Sequence, residues 1–182
     1  MITGKNMQKL TKIMEYMMGM DIERRNKWIK NSHKLRVVID EIEVPFQGLA
    51  NIDAKLVIED MKIINGKPSS PYGDITEHMT RSYLWVLGSY EIIRTLSQFA
   101  DAGNSNKFEG MKEDIRLLKH EFEKLRVPLA KFEAARRNPN GYPFAYPVID
   151  KDLGVSWLIG QNDHVPRKYL SDKMLALVES LP

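Results

Sequence analysis

The sequence predicts a mainly α protein, an antiparallel helical bundle that carries a small C-terminal β-hairpin and a terminal helix. Through most of the chain up to residue 137, apolar residues recur at alternating steps of three and four, which is the period of an amphipathic helix. Beyond that residue the pattern changes to two short extended runs and a last helical stretch. We therefore expect a helical bundle over 1–137 and a hairpin-plus-helix cap over 138–182, packed together as one domain.

The first part of the bundle is predicted to hold two helices. The first, over about 21–43, rests on a stripe at steps of three and four that contains Trp28, Ser32, Leu35, Ile39, Ile42 and Phe46. The β-branched run "VVIDEIEV" also suits a strand, so the sequence leaves 35–44 open between helix and strand. Pro45 either ends this helix or opens the next one, and "NGKPSSPYGD" at 65–74 predicts a loop.

Two further helices are expected to form the centre of the bundle. In "DITEHMTRSYLWVLGSYEIIRTLSQFA" one apolar stripe contains Met79, Tyr83, Val86, Tyr90 and Ile93, and a second contains Trp85, Ile92 and Leu96. A helix with two apolar stripes has neighbours on two sides. The next helix has a heptad seam of Phe108, Met111, Ile115, Leu118, Phe122, Leu125, Leu129 and Phe132. The seam keeps its phase across Pro128, so we expect the helix to continue to the pair Arg136 and Arg137.

The cap is predicted from a change in residue pattern after the helical seam. "AYPVIDKDLGVSWLIG" reads as two extended runs, at about 146–149 and 154–159, joined by a polar turn. A final helix presents Leu170, Met174, Leu177, Val178 and Leu181 on one face. This combination predicts a hairpin followed by a terminal helix.

Composition limits the classes of protein to which the chain can belong. The 182 residues include 27 basic and 24 acidic side chains and no cysteine, so disulfides and thiolate metal sites are excluded. No apolar run reaches the roughly 20 residues of a membrane span, and "MITGKNMQKLTK" lacks a hydrophobic signal core. We therefore expect a cytoplasmic protein without membrane contact. Six of the ten methionines fall in the first twenty residues, and Met14, Met17 and Met18 are predicted to offer an adaptable docking surface.

Common catalytic signatures are absent from the sequence, including zinc-protease, phosphate-loop and nucleophile-elbow motifs. Arg116 and His120 share a helix face, and a general acid beside a cation can cleave RNA. In its helical architecture, residues 21–137 are similar to the HEPN superfamily, helical bundles that include ribonucleases. In that superfamily an Arg precedes a His by four to six intervening residues. Here Arg116 and His120 have three between them, and Arg25 and His33 have seven, so the likeness is one of architecture.

The segment "AARRNPNGYPFAYP" at 134–147 is the strongest candidate for a binding loop. Five basic residues against one acid lie between 124 and 137, and aromatic rings beside cations are what single-strand binding uses. The segment also suits a strap that packs on the core, with Phe144 pointing away from the two tyrosines. The loop "GQNDHVPRK" is expected to lie nearby. The candidate binding residues are Arg136, Arg137, Tyr142, Tyr146, His164, Arg167 and Lys168.

From these features we expect a non-enzymatic interaction or regulatory module that binds a protein partner or a second copy of itself. The alternative is a nucleic-acid-binding protein, of which a divergent HEPN-like ribonuclease is one form. No pattern of His, Asp and Glu at metal-ligand spacing occurs. We therefore predict neither a metal nor a cofactor.

Overall fold

The computed structural model describes residues 13–14, 18–67, 75–102 and 106–182. In these ranges the α-helices are α1 (Ile22–Asn31), α2 (Glu43–Ile64), α3 (Thr76–Asp101), α4 (Lys112–Ala130) and α5 (Arg167–Ser180). The strands are β1 (Tyr146–Asp150), β2 (Gly154–Gly160) and β3 (Asp163–Pro166). The mainly α prediction is confirmed. Residues 68–74 of the predicted loop at 65–74 lie outside the described ranges, and so does Met17.

The segment that the sequence left open between helix and strand is helical but discontinuous. α1 ends at Asn31 and is followed by two 3₁₀ helices, Ser32–Val37 and Asp40–Ile42, before α2 begins at Glu43. Pro45 lies in the first turn of α2, where its missing N–H costs no intrahelical hydrogen bond. The segment over about 21–43 is therefore helical, as predicted, but the prediction of one continuous helix is wrong.

α3 lies in the middle of the bundle, as its two apolar stripes predicted. It packs against α2 on one side and against α4 on the other. Four aromatic rings cross the core from α2 to α4 in the order Phe46, Trp28, Trp85 and Phe122, with centroid separations of 5.0, 6.3 and 6.1 Å. Tilted and edge-on pairs at these distances are favourable beyond the area that they bury. The rings therefore join α1, α2, α3 and α4 into one core.

α4 buries the predicted seam from Ile115 to Leu129 and continues through Pro128. It ends at Ala130, earlier than the sequence predicted. Phe132 lies beyond the helix with a φ of 57° and is 65% exposed. Arg136 and Arg137 therefore belong to a loop, and the expectation that they complete a helix C-terminus is wrong.

The cap contains three antiparallel strands in the order β1-β2-β3, one more than the predicted hairpin. The predicted first two strands are confirmed to within one residue, with Tyr146 opposite Leu158 and Pro147 opposite Trp157. β3 occupies the stretch that we expected to be a loop, and it places Val165 opposite Trp157. β2 is buried and contacts α2, α4 and α5. The sheet and α5 therefore share one apolar core with the helices.

Candidate functional site

The most deeply buried charges in the described ranges form a cluster between α2, α3, β2 and α5. We call it the buried ion cluster, and its members are Arg167, Asp53, Asp60, His78 and Ser171. Arg167 is 0% exposed; its Nη1 donates to Asp53 Oδ1 at 2.6 Å and its Nη2 to Asp60 Oδ2 at 2.7 Å. Arg167 was expected in a binding loop, but it lies in the first turn of α5, closed to solvent. It cannot contact a ligand from this position.

Asp60 connects three parts of the fold through its carboxylate. Its oxygens accept hydrogen bonds from His78 Nε2 at 2.7 Å, from the Val155 backbone N–H at 3.0 Å and from Arg167. Burial by itself raises the pKa of Asp60, because it disfavours the charged form. The hydrogen bond from His78 and the charge of Arg167 outweigh burial, so the pKa lies below its usual 3.8. Asp60 is therefore held as a carboxylate.

Asp53 is paired as fully as Asp60. It accepts from Arg167, from Ser171 Oγ at 2.6 Å and from Arg24 Nε at 2.5 Å. Buried charges are retained in proteins when each has its partners. We interpret the buried ion cluster as the polar connection between α2 and α5. His78 is part of it through its hydrogen bond to Asp60.

The surface beside α4 has a different character. A groove of about 490 Å³ lies between the second half of α4 and the loop that follows it. We call it the basic groove. It is lined by five cations against the two carboxylates of Glu123 and Glu133; the cations are Lys119, Lys124, Lys131, Arg136 and Arg137. The predicted arginine pair therefore joins Lys124 and Lys131 of the same basic stretch, together with Lys119, which lies before it.

The reversal of the chain after α4 creates this groove. A left-handed backbone at Phe132 is uncommon for a bulky residue, and it turns the chain back beside the helix that it has just left. Ala135 and Ala145 are buried, and the Tyr142 N–H donates to the Ile159 carbonyl at 2.7 Å. The segment is thus a strap fixed to β2, and it leaves its charged side chains on the outside.

Arg137 and His120 meet across the basic groove. The Arg137 guanidinium donates from Nη1 to His120 Nδ1 at 2.7 Å. Since a guanidinium only donates, Nδ1 is the acceptor and the neutral ring carries its proton on Nε2. Burial lowers the pKa of His120, and the charges of Arg137 and Lys119 lower it further. Arg116, which the sequence placed with His120, instead pairs with Glu113 at 3.2 Å and Asp101 at 3.3 Å.

Four aromatic rings between the end of α4 and the start of β1 form a cluster. We call them the aromatic platform, and they are Phe132, Phe144, Tyr142 and Tyr146. Phe132 and Phe144 are parallel to within 3°, with their centroids 5.8 Å apart. Tyr146 meets Phe144 edge-on at 5.0 Å and Tyr142 at 5.9 Å. The expectation that Phe144 points away from the tyrosines is wrong, because side chains two residues apart in an extended chain share a face.

The loop "GQNDHVPRK", the second segment predicted to bind a ligand, lies only partly near the basic groove. His164 is exposed on β3, and its Nε2 lies 3.1 Å from Asp150 Oδ2. It lines a smaller cavity of about 240 Å³ that shares Lys124 with the basic groove. Lys168 lies on α5 and pairs with Asp172 at 2.6 Å. The structure thus places Arg136 and Arg137 in the basic groove and His164 on a cavity that shares Lys124 with it. Neither Tyr142 nor Tyr146 lines the groove, and Arg167 is buried.

Comparison of the chain with protein-family models, curated proteins and solved structures finds no match. In the part of the chain that the structure describes, no three His, Asp or Glu side chains are grouped as metal ligands. None of the helices in those ranges has the length and apolar character that a membrane span requires. The features of the described chain that bear most directly on function are therefore the basic groove and the aromatic platform.

Proposed function

We propose that this protein is a non-enzymatic binding module whose ligand is a nucleic-acid strand held in the basic groove. The observation that carries the proposal is the set of five lysine and arginine side chains around a groove of about 490 Å³. A groove lined with cations suits a phosphate backbone, because each phosphate that is neutralised releases condensed counterions. The charge of the groove therefore fits a chain of phosphates.

The groove cations differ from arginines elsewhere on α3 and α4. Arg81 pairs with Glu77, Arg94 with Glu91, and Arg116 with Glu113 and Asp101. Within the described ranges, no ion pair neutralises four of the groove cations, namely Lys119, Lys124, Lys131 and Arg136. Unpaired cations on one face produce a positive potential that attracts an anionic polymer. This contrast supports an anionic ligand.

The contact between Arg137 and His120 argues against a general base in this groove. A general base needs an imidazole nitrogen with a free lone pair. In neutral His120 the Nδ1 lone pair accepts from Arg137 and the Nε2 carries the proton. In this neutral state the ring therefore has no free acceptor nitrogen for abstracting a proton from a ribose hydroxyl.

The test is the affinity for a fluorescent single strand, measured by anisotropy across a series of salt concentrations. We expect log Kd to rise linearly with log salt. Lys124→Glu, Lys131→Glu and Arg136→Glu together should weaken binding by at least tenfold. They should also lower the salt slope by about 2, since each phosphate contact on a single strand contributes roughly 0.7.

A matched control carries the same change in charge away from the groove. Lys30, Lys55 and Lys151 are exposed and lie on α1, on α2 and in the β1–β2 turn. Their triple replacement by Glu should leave the salt slope unchanged. An equal loss in both triple variants would mean that net charge, and not the groove, determines affinity. No binding by the wild type at low salt would reject the proposal.

A second candidate function, contact with a protein partner or a second copy, is favoured by the methionines near the start of the chain. Met14 and Met18 are 52% and 61% exposed, and flexible methionine side chains adapt to partner surfaces. Sedimentation velocity over a range of concentrations tests the self-association part. Met14→Gln with Met18→Gln should weaken any dimer, and a monomer at every concentration would exclude self-association.

A further inference from the structure

We propose that the aromatic platform stacks the unpaired bases of the strand whose phosphates lie in the basic groove, so that the protein selects single-stranded over double-stranded nucleic acid. This inference rests on the proposed function and adds to it the class of nucleic acid. It assigns a role to Phe132 and Phe144, which the cation argument does not use.

The first step is that the platform is held outward. Phe132 is 65% exposed, and its backbone adopts the left-handed conformation that a bulky side chain rarely takes. Phe144 and Tyr146 are also exposed. Exposed aromatic rings on a strained turn point to a binding role, because folding alone favours their burial.

The second step is the shape of the platform. Phe132 and Phe144 are nearly parallel, at an interplanar angle of 3°, and Tyr146 stands edge-on beside Phe144 at 78°. Because Phe132 keeps most of its surface exposed, a planar base can extend the stack on its open face. Every base has such a face, so stacking on aromatic rings tolerates any sequence.

The third step is the position of the platform relative to the charges. Phe132 lies between Lys131 and Glu133 in the chain, and both of these neighbours line the basic groove. Phe132 does not itself line the groove, so in this proposal the strand places its phosphates in the groove and its bases beyond the groove's edge, on the platform. In a duplex the base faces are stacked on each other and only edges are accessible, so this arrangement fits an unpaired strand.

The test compares three fluorescent probes at low salt by anisotropy, namely a thymidine strand of about 12 nucleotides, an abasic strand of the same length, and a duplex. The abasic strand keeps the phosphates and lacks the bases. We expect wild-type protein to bind the thymidine strand more tightly than the other two, by on the order of tenfold. Phe132→Ala should remove this preference and leave the salt slope unchanged.

Leu117→Ala is the matched control, since Leu117 is another exposed apolar residue, at 53%, on the neighbouring helix α4. It should keep the preference for the thymidine strand. Both variants should keep the thermal stability of the wild type. Tyr146→Ala is a second platform variant in case Phe132→Ala fails to fold. Equal wild-type affinity for the thymidine and abasic strands overturns the platform while leaving the groove intact. Binding to none of the three probes overturns the proposed function as well.

Discussion

Gly154 brings its Cα so close to the carboxylate of Asp60 that no side chain fits between them. An added Cβ would overlap the carboxylate atoms of Asp60. Gly154 also has a φ of +80°, where residues with a side chain are strained. The contact lets the next residue, Val155, donate its backbone N–H to Asp60 at 3.0 Å. Glycine at this position therefore allows the sheet to dock on the buried ion cluster.

Gly154→Ala should destabilise the protein strongly. The new methyl group meets the Asp60 side chain and requires a left-handed backbone, so we expect a loss of about 3 kcal/mol in the free energy of unfolding. Urea unfolding followed by circular dichroism measures the change. Gly48→Ala in α2 is the control, because space around Gly48 is open and the substitution should stabilise by about 0.5–1 kcal/mol. Similar effects at both glycines would contradict the contact.

Asp60→Asn should lower the free energy of unfolding and should make that free energy less sensitive to acidic pH. Removing one charge leaves Arg167 with a single carboxylate in the core, which costs about 3 kcal/mol at neutral pH. The pKa of Asp60 is lowered in the folded protein, so its contribution is complete above the unfolded value near 3.8 and is lost as pH falls through the folded pKa.

The check is chemical denaturation of wild type and Asp60→Asn between pH 7 and pH 2. The difference in stability between the two proteins should be constant above about pH 5 and shrink below about pH 4. Some acid dependence should remain in the variant. Backbone hydrogen bonds from Asp152 and Leu153 also lower the pKa of Asp150. A difference that persists unchanged at pH 2 would contradict an ionised Asp60.

Leu118→Asp should unfold the protein or destabilise it by several kcal/mol, because it places an isolated charge in the buried seam of α4. Leu117, its neighbour, points outward and is 53% exposed. Leu117→Asp changes the charge by the same amount on the same helix and should cost less than about 1 kcal/mol. Thermal melts of the two variants give the comparison. Equal melting temperatures would mean that the helix faces are assigned wrongly.

Binding of an anionic strand should strengthen as pH falls from about 7.5 to 5.5. His120 faces Arg116, Lys119 and Glu123 on α4 and Arg137 on the strap, and its pKa is lowered from 6.5 by burial and the neighbouring cations. A phosphate in the groove favours the protonated ring, so proton uptake accompanies binding. Protonation also ends the acceptor role of Nδ1 and frees Arg137 for the ligand. His120→Gln should show a flatter pH profile, whereas His33→Gln should match the wild type.

Local periodicity predicted the central elements of the fold well. The double stripe of α3 and the seam of α4 repeat over many residues, and burial of one helix face requires this repeat wherever the helix lies. The bounds of β1 and β2 were also predicted, because the polar turn between them is local in sequence. The same reasoning failed after Ala130. The phase of the seam continues to Phe132, but the strap is fixed by contacts with β2, which periodicity does not record.

Arg167 shows where prediction of the site had to fail. In the sequence it follows a loop histidine and precedes a lysine, which suggests a surface position. Its burial depends on Asp53 and Asp60, which lie 114 and 107 residues away. One signal was present and overlooked. Asp53 and Asp60 fall at steps of three and four among apolar residues of α2, namely Phe46, Leu49, Leu56 and Ile63. A carboxylate in such a stripe requires a buried partner.

The separation of 114 residues between Asp53 and Arg167 also has a kinetic consequence. Closing so long a loop costs chain entropy, and the pair gains its low-dielectric environment only after α5 has docked. We therefore expect the pair to form after the rate-limiting step of folding. Asp53→Asn should accelerate unfolding in stopped-flow measurements and leave the refolding rate nearly unchanged. In this view the buried charges determine how long the native state persists, whereas the apolar seams determine how quickly it is reached.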